Sequence, residues 1–161
     1  MKAFHTLIIP IFAIGLSVTA ATNEIDLTVI AGAETHAMIE PCDCPQDPGG
    51  GLAKRSTLVK SIRKGDNLLL LDAGGFSGGG IYDSYTEGRS ADSLRTIVTL
   101  RGMGAIGYDA VAIGDDDLQY GGDWLIARAS EAGVPVVSVN CFDQNGKLLT
   151  APYLLVKKGQ Y

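Results

Sequence analysis

The chain has no run of lysine and arginine: 13 basic residues stand against 18 acidic ones, for a net charge of -5 and a pI near 4.9. That balance argues against nucleic acid as the main partner, because phosphate backbones are gripped chiefly by Lys and Arg. Cys-x-x-Cys-His is absent, so covalent haem is not indicated. With three cysteines, Cys42, Cys44 and Cys141, full pairing within one chain is excluded and one thiol is left over. After residue 21 no segment is apolar enough to span a bilayer, and neither an internal repeat nor a domain linker is visible. Histidine is nearly missing, with only His5 and His36.

What is present is ordinary for one globular domain: 161 residues, 46% hydrophobic and 19% charged, enough for a real core. Lys2, the apolar run Leu7 to Val18 broken by Pro10, and the small residues of Ser17-Val18-Thr19-Ala20-Ala21 form the pattern of a secretory signal over residues 1–21. An uncleaved anchor is the alternative, but the run is shorter than the ~20 residues a membrane helix needs. The expectation is a secreted or periplasmic protein, with no stable membrane span once the signal is cleaved. Export means an oxidising compartment.

The remainder alternates strands and helices. Asp26 to Ile30 reads as a strand, and Leu52 to Lys64 as a helix with Leu58, Val59 and Ile62 on one face. Asn67 to Asp72 contains four consecutive leucines between Gly65 and Gly74, a buried strand in a sheet covered on both sides. A helix from Ala91 to Met103 presents Leu94, Ile97, Val98 and Arg101 at helical spacing. A strand Ala110 to Ile113, a helix Asp123 to Ala132 and a strand Val136 to Val139 follow. This order means an α/β core.

In open α/β sheets ligands collect at the carboxyl ends of the strands. Three such ends carry suggestive residues. Glu34 and His36, two residues apart after the first strand, are mixed O and N donors that suit Zn, Mn or Fe; the alternative is a solvated loop. Gly74 to Gly80 lets backbone approach a phosphate or metal, or is a plain flexible loop. Asp115, Asp116 and Asp117 are three adjacent carboxylates that repel unless solvated or shared with a cation; the alternative is an exposed acidic turn capping the helix near Asp123. Beside them, Cys42-Asp43-Cys44 closes a small, redox-labile ring if oxidised, or else offers a soft metal site or two free thiols.

Four blocks in order, Gly49-Gly-Gly-Leu-Ala-Lys-Arg55, Leu69-Leu-Leu-Asp-Ala-Gly74, Gly107-Tyr-Asp-Ala-Val-Ala-Ile-Gly114 and Val134-Pro-Val-Val-Ser-Val-Asn140, resemble the 5'-nucleotidase branch of the calcineurin-like metallophosphoesterases. The resemblance covers residues 25–161 as a partial domain. It implies a two-sheet sandwich flanked by helices, incomplete at its C-terminus, and a pair of divalent metals about 3.5–4 Å apart that polarise the phosphate. The family's Asp-x-His falls on Glu34 and His36. Its Gly-Asp falls on Gly74 and Gly75, so the carboxylate that bridges both metals is missing. Its Gly-Asn-His-Glu falls on Gly114 to Asp117, giving Asp115 as a metal ligand and Asp116 in place of a catalytic histidine, where its negative charge repels phosphate unless protonated.

The resemblance therefore implies an exported, 5'-nucleotidase-like phosphoesterase acting on a phosphoester or nucleotide, truncated before the remaining histidine ligands or degenerate, and weak or inactive alone. Its cofactor is a divalent metal (Mn, Zn or Fe), as one ion or none. One alternative is a single-metal site of Glu34, His36 and Asp115. The other is a non-catalytic binding or assembly module, whose partner chain covers an open sheet edge.

Overall fold

The four leucines after Asn67 show how the sheet is built. In the computed structural model, which describes residues 26–159, Leu68 and Leu70 are buried while Leu69 and Leu71 are half-buried, as expected when a strand turns alternate side chains to opposite faces. This strand, β2 (Leu68–Asp72), lies in a parallel sheet ordered β1 (Thr28–Gly32), β2, β3 (Ala110–Ala112), β4 (Val136–Val137). Thr28 pairs with Leu68 and Gly32 with Asp72; Asp72 pairs with Val111, and Val111 with Val136. The signal expected at residues 1–21 lies outside the described residues. Among those described, no helix is long and apolar enough to cross a membrane.

The crossovers are α1 (Leu52–Ile62), α2 (Arg89–Ile106) and α3 (Gly122–Ala132), with a short 3-10 turn at Asp116–Leu118. Strands in sequential order joined by right-handed crossovers put every helix on the same face. The core agrees: Leu68, Leu70 and Val111 pack with Val59 of α1, Leu100 and Met103 of α2, and Leu125 and Ala129 of α3. The α/β class and the helix layer are those expected. Among the described residues there is one sheet, and its other face is not covered by helices. Leu69, Leu71, Ala110, Ala112 and Val137 line a groove of about 470 Å³ there, with Leu154 and Val156 at its side. Of the two covered sides expected for the leucine run, helices form one, and the apolar groove lies on the other.

The helix faces also need correction. On α2 the buried positions are Asp92, Thr96, Thr99, Leu100 and Met103, whereas Leu94 and Val98 are exposed. The inward polar groups are accommodated because they are bonded: Thr96 Oγ1 donates to Asp92 O and accepts from Gly78 N–H. On α1, Val59 is buried and Ile62 packs against the core, but Leu58 is exposed.

Because Leu70 is 1% exposed, Leu70→Ala should cost about 2–5 kcal/mol, through lost transfer energy and the cavity left behind. Leu71→Ala, on the helix-free face, should cost clearly less. Urea unfolding of both variants decides it; equal losses would mean that the second face is as tightly packed as the first.

Candidate functional site

Three loops meet at the carboxyl ends of β1, β2 and β3. The first hangs on the second through a ladder of backbone bonds: Glu34, His36 and Ala37 N–H donate to Gly74, Gly75 and Phe76 carbonyls, each at 2.9 Å. To make it, Glu34, His36 and Ala37 adopt φ of 51°, 43° and 50°. Left-handed backbone costs a residue with a Cβ on the order of 1–2 kcal/mol, so this segment is strained, as backbone at functional sites often is.

Asp117 joins the second loop to the third. Its side chain is completely buried, and its Oδ2 accepts from Gly75 N–H (2.9 Å) and Gly114 N–H (2.7 Å), its Oδ1 from Ser77 N–H (2.9 Å). The loops approach so closely that a Cβ on Gly74 would lie 2.7 Å from Gly114 Cα, which only glycine permits.

Among the expected site residues, Glu34 and His36 are brought together, with Oε2 and Nε2 3.5 Å apart. The Glu34 carboxylate rests over Gly75: a Cβ there would lie 2.6 Å from Glu34 Cδ. Asp115 is exposed and its Oδ1 caps Asp116 N–H at 3.0 Å. Asp116 turns its carboxylate onto Gly80 instead. The acidic triplet does not cap the following helix, whose N-cap Gly121 has no side-chain cap bond, and its three carboxylates have different surroundings. One carboxylate faces solvent, one lies against a glycine, and one binds amides. Among the described residues, no three His, Cys, Asp or Glu side chains converge to hold a metal ion.

Buried polar atoms without partners nevertheless gather here. Thr35 Oγ1, His36 Nδ1, Asp72 Oδ2, Ser77 Oγ and Asp116 Oδ2 all belong to these strand ends and loops. Such atoms call for water or an ion to complete them. Asp72 is the most telling, being 4% exposed with Oδ1 accepting from Gly74 N–H at 3.0 Å. Burial pushes its carboxyl above 3.8, against the Gly74 bond and the Arg55 charge, with Asp117 and Glu34 adding repulsion.

Cys42 and Cys44 form a disulfide in the first loop, the first of the arrangements read from the sequence; Cys141 is a free thiol. Cys42, Glu34, Thr35 and Arg55 line a single pocket of about 270 Å³ with Gly49, Gly50 and Gly51.

Sequence reasoning missed Arg95. Its guanidinium Nη1 lies 2.8 Å from Asp83 Oδ2, Asp92 Oδ1 and Tyr85 O, and Nη2 donates to His36 O at 2.9 Å. Both aspartate side chains are buried. Burial alone would raise their carboxyls, but for Asp83 the Arg95 bond and the Gly79 and Tyr85 N–H donors prevail, and for Asp92 the Glu87 N–H, Thr86 and Arg95 do; both are held below 3.8. The Asp92-x-x-Arg95 spacing on one helix was the only sequence signal.

No family model matches the chain. It is similar to the snake venom 5'-nucleotidase of Gloydius brevicauda, 32% identical over 137 residues, which is 80% of this chain and 22% of that protein. The crystal structure of a 5'-nucleotidase precursor from Thermus thermophilus superposes with a TM-score of 0.64 at 29% identity, covering 83% of this chain and 26% of that one. The calcineurin-like phosphoesterase YfkN from Bacillus subtilis gives 0.58 at 25% identity, covering 80% and 41%. The chain therefore spans about a fifth of the venom enzyme's length.

The two groups of carboxyls predict opposite pH behaviour. Asp83 and Asp92 are more acidic folded than unfolded, so their contribution to stability is complete above about 3.8 and is lost as pH falls through their lower folded values. Asp72 is less acidic folded, so its contribution is complete below about 3.8 and is lost as pH rises through its higher folded value. Urea midpoints between about pH 2 and pH 7 should show Asp83→Asn with a shallower acid limb than the parent. An unchanged limb would contradict the assignment.

Proposed function

We infer that this chain, which belongs to the 5'-nucleotidase branch of the calcineurin-like metallophosphoesterases, is an exported phosphoester-binding frame that holds one divalent cation between Glu34 and His36. The observation that carries the reading is the approach of those two side chains to 3.5 Å, a carboxylate and an imidazole at the mouth of a parallel sheet. Mn, Zn or Fe suits such mixed donors. Two protein ligands suffice for a cation that keeps waters or takes phosphate oxygens for its remaining positions.

A two-ion centre does not fit these residues. Gly75 has no carboxylate, the space over it belongs to Glu34, and Asp116 is drawn aside onto Gly80. A bound cation of this type supplies Lewis acidity toward a phosphoryl oxygen. The chain's own part is to orient: Glu34 and His36 would hold the ion, and the strained backbone ladder fixes the loop that carries them. Negative charge on Glu34, Asp115 and Asp116 opposes a phosphoester, so turnover of nucleotides is weak or nil for this chain alone.

A second reading, a non-catalytic assembly module, draws on the apolar groove lined by Leu69, Leu71, Ala110 and Ala112, a surface that another chain would cover. A monodisperse monomer by light scattering removes it.

The test of the first reading is Mn(II) titration together with hydrolysis of AMP and of a chromogenic phosphate ester. One ion per chain should bind, and His36→Ala should weaken it by about tenfold or more. Equal affinity in parent and variant would sink the proposal, whatever the turnover.

A further inference from the structure

Resting on that reading of the Glu34–His36 pair, we propose that Arg95 is its positioning residue: through the His36 carbonyl, the guanidinium holds the strained loop in the conformation that presents both side chains. Arg95 never touches the pair's donor atoms. Its Nη2 donates to His36 O at 2.9 Å and approaches Ala37 O at 3.4 Å. These are two of the three non-glycine residues with left-handed backbone among the described residues, a conformation that relaxes unless the surroundings fix it.

The anchor is itself over-determined, which separates it from a casual surface contact. The Arg95 side chain is 14% exposed, and those of Asp83 and Asp92 are 0% and 1% exposed. Asp83 is in turn fixed by Gly79 N–H (2.7 Å) and Tyr85 N–H (2.9 Å), and Asp92 by Thr86 Oγ1 (2.7 Å) and Glu87 N–H (3.0 Å). Gly79, Asp83 and Tyr85 lie on the loop after β2, Asp92 on α2, and His36 on the loop after β1. One planar fork therefore ties three segments together, a geometry that lysine cannot reproduce. Outer-shell groups that orient a ligand commonly change metal affinity tenfold to a hundredfold.

The readout is local. The full chain has two imidazoles, and a His36→Ala spectrum assigns the His36 ring proton signal against that of His5. In metal-free Arg95→Lys the His36 resonance should shift or broaden into several conformers, and Mn(II) affinity should fall about tenfold or more, with far-UV circular dichroism retained. Leu70→Ala, weakened in the core, should leave the resonance in place, which separates positioning from general stability. If Arg95→Lys does not fold, Asp83→Asn keeps the fork and loosens one anchor, and it should move the same resonance less.

An unmoved His36 resonance in a folded Arg95→Lys or Asp83→Asn variant overturns the proposal. If the parent binds no Mn(II), the cation reading fails by itself. The resonance still decides on Arg95, movement supporting it and constancy overturning it.

Discussion

The buried carboxylate of Asp117 is the constraint on which the strand-end loops depend. It accepts three backbone N–H groups, from Gly75, Ser77 and Gly114, and so closes the loop after β2 onto the loop after β3. Bonds of this kind are stronger than neutral ones because the acceptor is charged. Removing the carboxylate would leave buried amides unpaired, which costs more than the bonds contribute. The loop after β1 then copies that arrangement, because its ladder of N–H donors rests on the Gly74, Gly75 and Phe76 carbonyls.

This frame also sets the charge balance. Asp117 accepts three oriented amides, and Asp83 and Asp92 share Arg95, so the acidic groups inside the frame have bonded partners. Asp72 differs. Its second oxygen has no partner, and its carboxyl is pushed upward first by burial and further by Asp117 and Glu34. Asp72 ends β2 beside Gly32 of β1, the side on which Glu34 and His36 stand.

The sequence made the alternation of strands and helices legible because each signal was local: four leucines between glycines, and apolar residues at helical spacing. Helix faces were less so. The face of α2 with Leu94 and Val98 looked inward because apolar residues are assumed to be buried, yet Thr96 and Asp92 are turned in by partners that sequence does not reveal. The leucine run reads as a buried strand, and its alternate leucines do point to two faces, one covered by helices and the other lining the apolar groove. At the site, Glu34 and His36 were found because they are two residues apart. Arg95 was not, because the carbonyl it holds is 59 residues away in the chain.

Glu34 and Gly75 are best understood as one feature rather than two departures. By resemblance a carboxylate is expected at residue 75, and a shorter one at residue 34. Here the longer glutamate brings its carboxylate over Gly75, where even a Cβ would lie 2.6 Å from Glu34 Cδ. Gly75 also has φ 73°, which any residue with a Cβ would resist. An aspartate added at 75 alone would thus meet both a strained backbone and an occupied space. It would displace Glu34 from His36 before it could add a ligand. The acidic group near this point is delivered from the strained loop after β1, whose shape depends on the ladder and on Arg95. The chemistry open to the site is therefore fixed less by the number of carboxylates it retains than by which loop carries them.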